Sequence, residues 1–257
     1  MSRSADGGGG SPSLAEESAA TDAAAAAAAK SALRPPADTY ALLQTATLLF
    51  MNALGGLYVV GEENVPATGP VLMVSNHTSY LDPVAIGDAS PRRVVFMAKA
   101  ELFENRAIAF LLRGVDSFPV RRGEPDRQAF KTTLAMLEEG RVVCIFPEGT
   151  RQEPETLGEA EPGAALFAIR TGCPVVPVHV SGSSRMLGKG GKPRRAKVKV
   201  AFGEPFTLDR KADRDAAGKL LMDAIARTRD RYADAPGRRI WPHRFRKPPE
   251  GRRATRK

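Results

Sequence analysis

The sequence contains few of the residues that bind metals or form covalent cross-links. It has two cysteines, Cys144 and Cys173, and three histidines in 257 residues. Two cysteines give no metal-site pattern. Both lie in or beside apolar runs, where a buried, reduced thiol is expected. The sequence therefore predicts no metal site and a protein that works in the reducing cytosol.

Signals for export or for crossing a membrane are also weak. The first residues lack the basic-then-apolar pattern of a secretory signal and include four acidic residues by position 22. Residues 40–60 carry no charge and are long enough to span a bilayer. Gln44, Asn52 and Gly55 interrupt this run, so we expect a helix over 39–54. That helix lies in a membrane interface or packs on the domain, and a spanning helix is the remaining alternative.

Negative charge is scarce in two stretches of the chain. The formal net charge is +9, and residues 236–257 contain nine Lys or Arg against one Glu. Residues 185–199 contain seven basic residues and no acidic one. Such a balance suits anionic partners, namely phosphorylated substrates, a charged lipid surface or nucleic acid.

The pattern along the chain predicts four segments. We expect a disordered tail at 1–37, an interfacial helix at 38–56, a folded domain at 57–235 and a basic tail at 236–257. Short apolar runs alternate with helical periodicity in the domain, which predicts an α/β fold with a largely parallel central sheet flanked by helices. The expected strands are 57–60, 71–75, 94–97, 117–120, 142–146, 175–180 and 197–202, and the expected helices are 83–89, 99–112, 126–139, 163–170 and 214–232.

A first candidate site follows the strand predicted at 71–75. His77 stands near the carboxyl end of that strand, and Asp82 precedes Pro83 as the expected N-cap of the next helix. Histidine is the most frequent general base, and a carboxylate on its second ring nitrogen fixes its tautomer. The pair therefore indicates acid–base chemistry. The alternative is a polar loop histidine beside an ordinary helix cap.

A second candidate site follows the strand predicted at 142–146. The chain continues Pro147-Glu148-Gly149-Thr150-Arg151. Gly149 allows close backbone approach to a ligand, and the planar fork of Arg151 matches a phosphate. The alternative is a surface arginine in a turn.

These two motifs together resemble the glycerolipid acyltransferase family. The H-x4-D pattern of His77 and Asp82 is followed by Phe-Pro-Glu-Gly-Thr-Arg at 146–151. Two weaker blocks occur in the family's order, namely Gly114 with Phe118-Pro119-Val120-Arg121, and Val175-Val176-Pro177-Val178. The resemblance covers about residues 58–205.

The resemblance implies roles for individual residues. His77, with Asp82, takes the proton of an acceptor hydroxyl as its oxygen attacks a thioester. Glu148, Gly149, Thr150 and Arg151 bind the acceptor phosphate, with Arg121 as a second phosphate ligand. Glu148 is expected to orient Arg151 or a hydroxyl, because a carboxylate does not attract phosphate. Ser79 is a rival nucleophile that lacks a Gly-x-Ser-x-Gly elbow.

The chain departs from the family pattern at two positions. Some relatives carry Lys where this chain has Val115, and Glu161 stands where Lys is expected. Both changes remove positive charge from the expected acceptor pocket, and Arg113 or Arg122 are candidates to replace it.

The resemblance also implies a reaction and its partners. We expect transfer of a fatty acyl group from acyl-CoA or acyl carrier protein to 1-acylglycerol 3-phosphate, making phosphatidic acid. This reaction needs no metal or bound cofactor. The expected location is the cytoplasmic side of the cell membrane, as a peripheral or monotopic protein on an anionic membrane surface. The alternatives are another lyso-lipid acceptor and a basic adaptor without enzymatic activity. No nucleic acid is expected.

Overall fold

Eight strands form one sheet through the middle of the molecule. The computed structural model describes residues 37–121, 126–154, 156–187 and 191–242. The strand order is β4-β3-β5-β2-β6-β7-β1-β8. The strands are β1 Leu57–Val60, β2 Val71–Ser75, β3 Val94–Lys99, β4 Ser117–Val120, β5 Val142–Ile145, β6 Val175–Ser181, β7 Val198–Phe202 and β8 Arg238–Ile240.

Helices pack on both faces of this sheet. The α-helices of the described ranges are α1 Ala37–Ala53, α2 Asp82–Ala89, α3 Arg106–Gly114, α4 Arg127–Glu138, α5 Leu166–Thr171, α6 Ser183–Met186 and α7 Arg214–Arg231. Successive strand residues point to opposite faces, so Met73 of β2 packs in one core cluster and Leu72 in another. The first cluster includes Ile86 of α2, and the second includes Leu137 of α4 and Leu221 of α7.

Five neighbouring strands run in the same direction. β4, β3, β5, β2 and β6 pair in parallel, so their carboxyl ends meet at one edge of the sheet. β7 is antiparallel to β6, β1 is parallel to β7, and β8 is antiparallel to β1. The prediction of a largely parallel central sheet flanked by helices is confirmed.

The helix expected at 39–54 is α1, which packs on the sheet through one side. Leu48 and Met51 are buried, whereas Leu42, Leu49 and Phe50 are exposed. No helix within the described ranges is long and apolar enough to cross a bilayer.

The single amphipathic helix predicted over 99–112 is wrong. β3 extends to Lys99, a 3₁₀ turn follows at Ala100–Phe103, and α3 begins only at Arg106. The side chain of Asn105 accepts hydrogen bonds from the first N–H groups of α3, which fixes where the helix starts. Ile108 of α3 is among the exposed hydrophobic side chains.

Two predictions near the end of the chain also change. The alternating sequence of β7 is typical of a strand with one solvated face. The strand instead lies between β6 and β1, and Lys199 is its one residue that is not buried. The basic tail predicted from residue 236 is wrong for 238–240, which pair with β1 as strand β8. The predicted tail at 1–37, apart from its last residue, and residues 243–257 lie outside the described residues.

Candidate active site

The His77 side chain lies in a short loop between β2 and α2, at the carboxyl edge of the sheet. Its Nδ1 lies 3.0 Å from Oδ2 of Asp82. The carboxylate of Asp82 is completely buried, and His77 is 7% exposed. The structure therefore brings together the two residues of the H-x4-D motif in a largely buried position.

Asp82 has a different structural role from the predicted N-cap. It is the first residue of α2, and Leu81 occupies the cap position without a side-chain hydrogen bond. Oδ2 of Asp82 instead accepts hydrogen bonds from the backbone N–H groups of Thr78 at 2.6 Å and Ser79 at 2.7 Å. The carboxylate thus folds the preceding loop back over α2, which is why a spacing of five residues still produces a contact with His77.

The imidazole ring is held from its flat side as well as from Nδ1. It stacks on Phe146 with ring centroids 4.1 Å apart and an interplanar angle of 21°. In the described part of the chain, Asp82 is the hydrogen-bond partner of the ring. A carboxylate on Nδ1 places the proton there and leaves the lone pair of Nε2 for a substrate.

Glu148 fixes the backbone of the same loop. Its Oε2 accepts a hydrogen bond from the N–H of His77 at 2.9 Å, and its Oε1 accepts one from Gly158 at 2.9 Å. Among the described residues Glu148 therefore contacts these two N–H groups and not Arg151. The alternative that it orients a hydroxyl stays a prediction. Burial raises the pKa of the Glu148 carboxyl, while the N–H groups of Gly158 and His77 act in the opposite direction.

Gly149 and Thr150 form the turn that follows β5. Gly149 has φ 66°, a left-handed conformation that glycine adopts without strain. A Cβ there would also collide with the side chain of Glu161, so Glu161 lies against the turn. The N–H of Thr150 donates to the carbonyl of Glu148 at 2.7 Å. Residues 148–150 thus place their backbone beside the His77 loop.

Arg151 is stacked on Tyr80, a residue that the sequence analysis did not select. The Arg151 guanidinium carbon lies 3.7 Å from the centroid of the Tyr80 ring. Nη2 of Arg151 donates a hydrogen bond to the Tyr80 hydroxyl at 3.0 Å. Tyr80 is 61% exposed. The sequence signal available for this contact was the tyrosine inside the H-x4-D motif.

Arg121 lies at the same edge of the sheet but in a different place. It follows β4, and β3 and β5 separate β4 from β2. Three strand spacings are roughly 14 Å. The structure therefore does not bring Arg121 next to His77. Arg113 contacts the ring of Phe103, and Arg122 lies outside the described residues.

Ser79 has a structural role in the loop. Its Oγ donates to the carbonyl of Leu187 at 3.0 Å and accepts from the N–H of Leu81 at 3.2 Å. The side chain of Asn76 exchanges two hydrogen bonds with the backbone of Val180 on β6. The loop is therefore anchored on the β6 side too, and the geometry does not support Ser79 as the nucleophile.

The chemistry of the site rests on a histidine, carboxylates and arginine. Within the described ranges, no group of three or more His, Cys, Asp or Glu residues could hold a metal ion. Cys144 and Cys173 are both buried, and burial raises the pKa of each thiol. Chemically, an imidazole paired with a carboxylate can act as a general base, and the guanidinium of Arg151 offers donors to an anion.

Comparison with known sequences points to one family. A sequence profile of the acyltransferase family, described as "Acyltransferase", matches residues 56–181. The chain is 32% identical over 170 residues to the 1-acyl-sn-glycerol-3-phosphate acyltransferase of Bacillus subtilis, covering 65% of this chain and 82% of that protein. It is 32% identical over 164 residues to the enzyme of that name from Streptococcus pneumoniae, covering 63% of this chain and 60% of that protein.

More distant relatives and a solved structure agree with this result. The chain matches the chloroplastic 1-acyl-sn-glycerol-3-phosphate acyltransferase BAT2 of Brassica napus at 30% identity, covering 44% of that protein. The chain thus spans less than half the length of that relative. The crystal structure of PlsC, the 1-acyl-sn-glycerophosphate (LPA) acyltransferase of Thermotoga maritima, superposes with a TM-score of 0.62 at 22% identity. This match covers 77% of this chain and 80% of that one, and it shows the fold.

Proposed function

Because this chain belongs to the acyltransferase family, we propose that it acylates the free hydroxyl of 1-acylglycerol 3-phosphate and thereby makes phosphatidic acid. The acyl donor is a thioester, either acyl-CoA or acyl carrier protein. The observation that carries the proposal is the 3.0 Å contact between His77 Nδ1 and Asp82 Oδ2 at the carboxyl edge of the sheet. Ligands bind at this edge in open α/β sheets.

The proposed reaction is a direct transfer. Nε2 of His77 takes the proton of the acceptor hydroxyl as its oxygen attacks the thioester carbonyl carbon. The new C–O bond forms, the C–S bond breaks, and the thiolate leaves with the proton that the imidazolium returns. Asp82 stabilises the imidazolium while it exists. The thioester is already activated, so no covalent intermediate on Ser79 is needed.

The acceptor phosphate binds beside His77 on the β5 side. Arg151 follows β5, and the N–H of its neighbour Gln152 donates to the carbonyl of His77 at 2.7 Å. The guanidinium offers paired N–H donors to phosphate oxygens. We place Gly149 and Thr150 at this subsite and Glu148 behind it as the support of the loop. Arg121 at the end of β4 is a more distant contributor.

The protein attaches peripherally to the cytoplasmic side of the cell membrane in this proposal, since the acceptor and the product are lipids. The support is the exposed apolar side chains on α1 and α3, together with Trp241 after β8. A helix with an exposed apolar face can lie in the lipid interface without spanning the bilayer.

An assay over a panel of acceptors tests the function and the acceptor class. We expect the purified protein to acylate 1-acylglycerol 3-phosphate in preference to lyso-lipids with larger head groups. Arg151→Ala should raise the KM for 1-acylglycerol 3-phosphate at least about tenfold, because a charge-assisted hydrogen bond contributes ~1.5–3 kcal/mol.

The KM for the acyl donor and the activity toward uncharged 1-acylglycerol are the internal controls in that assay, and both should stay near the wild-type values. A preference for another lyso-lipid, with no effect of Arg151→Ala, would favour a different acceptor. Absence of transfer to every lyso-acceptor would refute the proposed function.

A further inference from the structure

The connection between β6 and β7 brings a concentration of positive charge to the active-site edge. We call its described residues, 182–187 and 191–197, the basic connection; they include five basic residues and no acidic one. β6 is parallel to β2 and ends beside the His77 loop, and β7 is antiparallel to β6 and therefore starts there. The connection thus begins and ends at the carboxyl edge of the sheet, on the side of His77 opposite to β5.

The basic connection is attached directly to the catalytic loop. The carbonyl of Leu187 accepts a hydrogen bond from Ser79 Oγ at 3.0 Å. The hydroxyls of Thr78 and Ser183 lie 3.4 Å apart. The carbonyl of Met186 accepts from the N–H of Arg194 at 2.9 Å, which fixes the returning part of the connection. These bonds fix the position of this backbone relative to His77.

The basic side chains of the connection have no acidic partner among the described residues. They are Arg185, Lys192, Arg194, Arg195 and Lys197, and all five are exposed. No carboxylate of the described residues forms an ion pair with any of them. Clustered charges of one sign raise the local concentration of an oppositely charged ligand.

We propose that the basic connection binds the anionic carrier of the acyl donor, which would be the phosphates of coenzyme A or the acidic surface of a carrier protein. The inference rests on the proposed function. The acceptor has one phosphate, and Arg151 on the β5 side is placed to bind it. The donor must reach His77 from another direction, and the β6 side carries the larger unpaired charge. Both carriers share the same chemistry, namely several negative charges beside the thioester.

Neutralising part of the connection tests the inference. Arg194→Gln with Arg195→Gln removes two exposed charges, and we expect the KM for an acyl-CoA donor to rise about fivefold or more, as for charges a few ångströms from a ligand. The KM for 1-acylglycerol 3-phosphate and the unfolding temperature should not change. Lys211→Gln with Arg214→Gln is the matched control. Lys211 lies in the loop after β7 and Arg214 is the first residue of α7. Both are exposed, and they follow the end of β7 at the opposite edge of the sheet.

Three acyl donors, namely acyl-CoA, acyl-dephospho-CoA and acyl carrier protein, identify the carrier. If the variant raises the KM for acyl-CoA more than the KM for acyl-dephospho-CoA, the basic connection binds nucleotide phosphates. If it raises the KM for acyl carrier protein, the connection binds the acidic protein. Equilibrium binding of free coenzyme A provides a readout that does not require turnover. Unchanged KM values for all donors would overturn the inference. Loss of binding to anionic vesicles with unchanged donor KM would also overturn it and assign the surface to lipid.

Discussion

At the scale of single residues, the contact between Tyr80 and Arg151 orients the guanidinium that we propose binds the acceptor phosphate. Stacking at 3.7 Å and a 3.0 Å hydrogen bond hold the guanidinium in one orientation beside His77. A long exposed side chain otherwise samples many rotamers, and ordering it costs free energy when the ligand binds. Tyr80 is therefore a positioning residue for Arg151 in the proposed reaction.

Substitutions of Tyr80 separate the stack from the hydrogen bond. Tyr80→Leu should raise the acceptor KM by a factor of about 2 to 5, since a cation–π contact at an exposed site contributes ~0.5–1 kcal/mol. Tyr80→Phe keeps the stack and should give an intermediate value. Steady-state kinetics should show unchanged kcat and donor KM. In an Arg151→Ala background, either change at Tyr80 should have no further effect, and an additive effect would contradict the positioning role.

Sequence patterns identified the charged residues of the candidate site, but they did not predict most of the hydrogen bonds that these residues form. The pairing of His77 with Asp82 follows from motif spacing and from the position at a strand end. The hydrogen bonds of Asp82 to the Thr78 and Ser79 N–H groups depend on how the loop folds back, which spacing does not encode. Glu148 likewise binds the N–H of His77, a contact between residues 71 positions apart.

At the scale of helices and strands, the attachment of α1 to α2 contains a buried titratable group. Thr47 of α1 donates a hydrogen bond to Asp88 of α2 at 2.7 Å. Burial raises the pKa of Asp88 to about 8, and the Thr47 hydrogen bond acts against this shift. Tyr40 faces the same carboxyl, and Arg93, which lies over the Tyr40 ring, is ion-paired with Asp116.

The raised pKa predicts a pH dependence of stability. The folded state binds the Asp88 proton more tightly than the unfolded state, in which the carboxyl has its ordinary pKa of 3.8. The stabilisation that this proton gives the folded state is complete below pH 3.8 and is lost as the pH rises through about 8. Asp88→Asn mimics the protonated form, so it should raise the unfolding temperature more at pH 8.5 than at pH 5. Thermal unfolding at the two pH values measures this, and equal shifts would contradict it.

Residues 99–112 show where the helical period of apolar residues predicts the wrong element. Apolar residues recur at the helical period through residues 99–112, yet Asn105 caps a new helix and the preceding residues complete β3 and a 3₁₀ turn. The apolar side of α3 is exposed, with Phe110 at 61% and Leu111 at 50%. An amphipathic pattern predicts a helix with one apolar face, but it does not say whether protein or lipid covers that face.

At the scale of the whole molecule, the exposed hydrophobic side chains concentrate on two adjacent helices. α1 and α3 pack against each other, and a Cβ at Gly114 would collide with Leu43. Leu42 of α1 and Phe110 of α3 are each more than 60% exposed, at 68% and 61%. Large contiguous apolar surfaces on a protein mark sites of interaction with partners or membranes. This surface is the proposed membrane contact.

The membrane contact predicts a specific loss of vesicle binding. Leu49→Ser with Phe50→Ser should weaken co-sedimentation with anionic vesicles at every salt concentration, because buried apolar area contributes independently of screening. Leu220→Ser is the control, since Leu220 is similarly exposed at 46% on α7. Wild-type protein that stays in the supernatant at low salt would contradict the membrane proposal, as would equal losses in the control.

The rate of acyl transfer by His77→Ala tests the central claim most directly. The variant removes the proposed general base while Asp82 keeps its hydrogen bonds to the N–H groups of Thr78 and Ser79. With saturating thioester and 1-acylglycerol 3-phosphate, we predict a fall in kcat of at least about two decades, the usual scale for loss of a general base. A folded His77→Ala protein that turns over at a rate near the wild type would contradict the account.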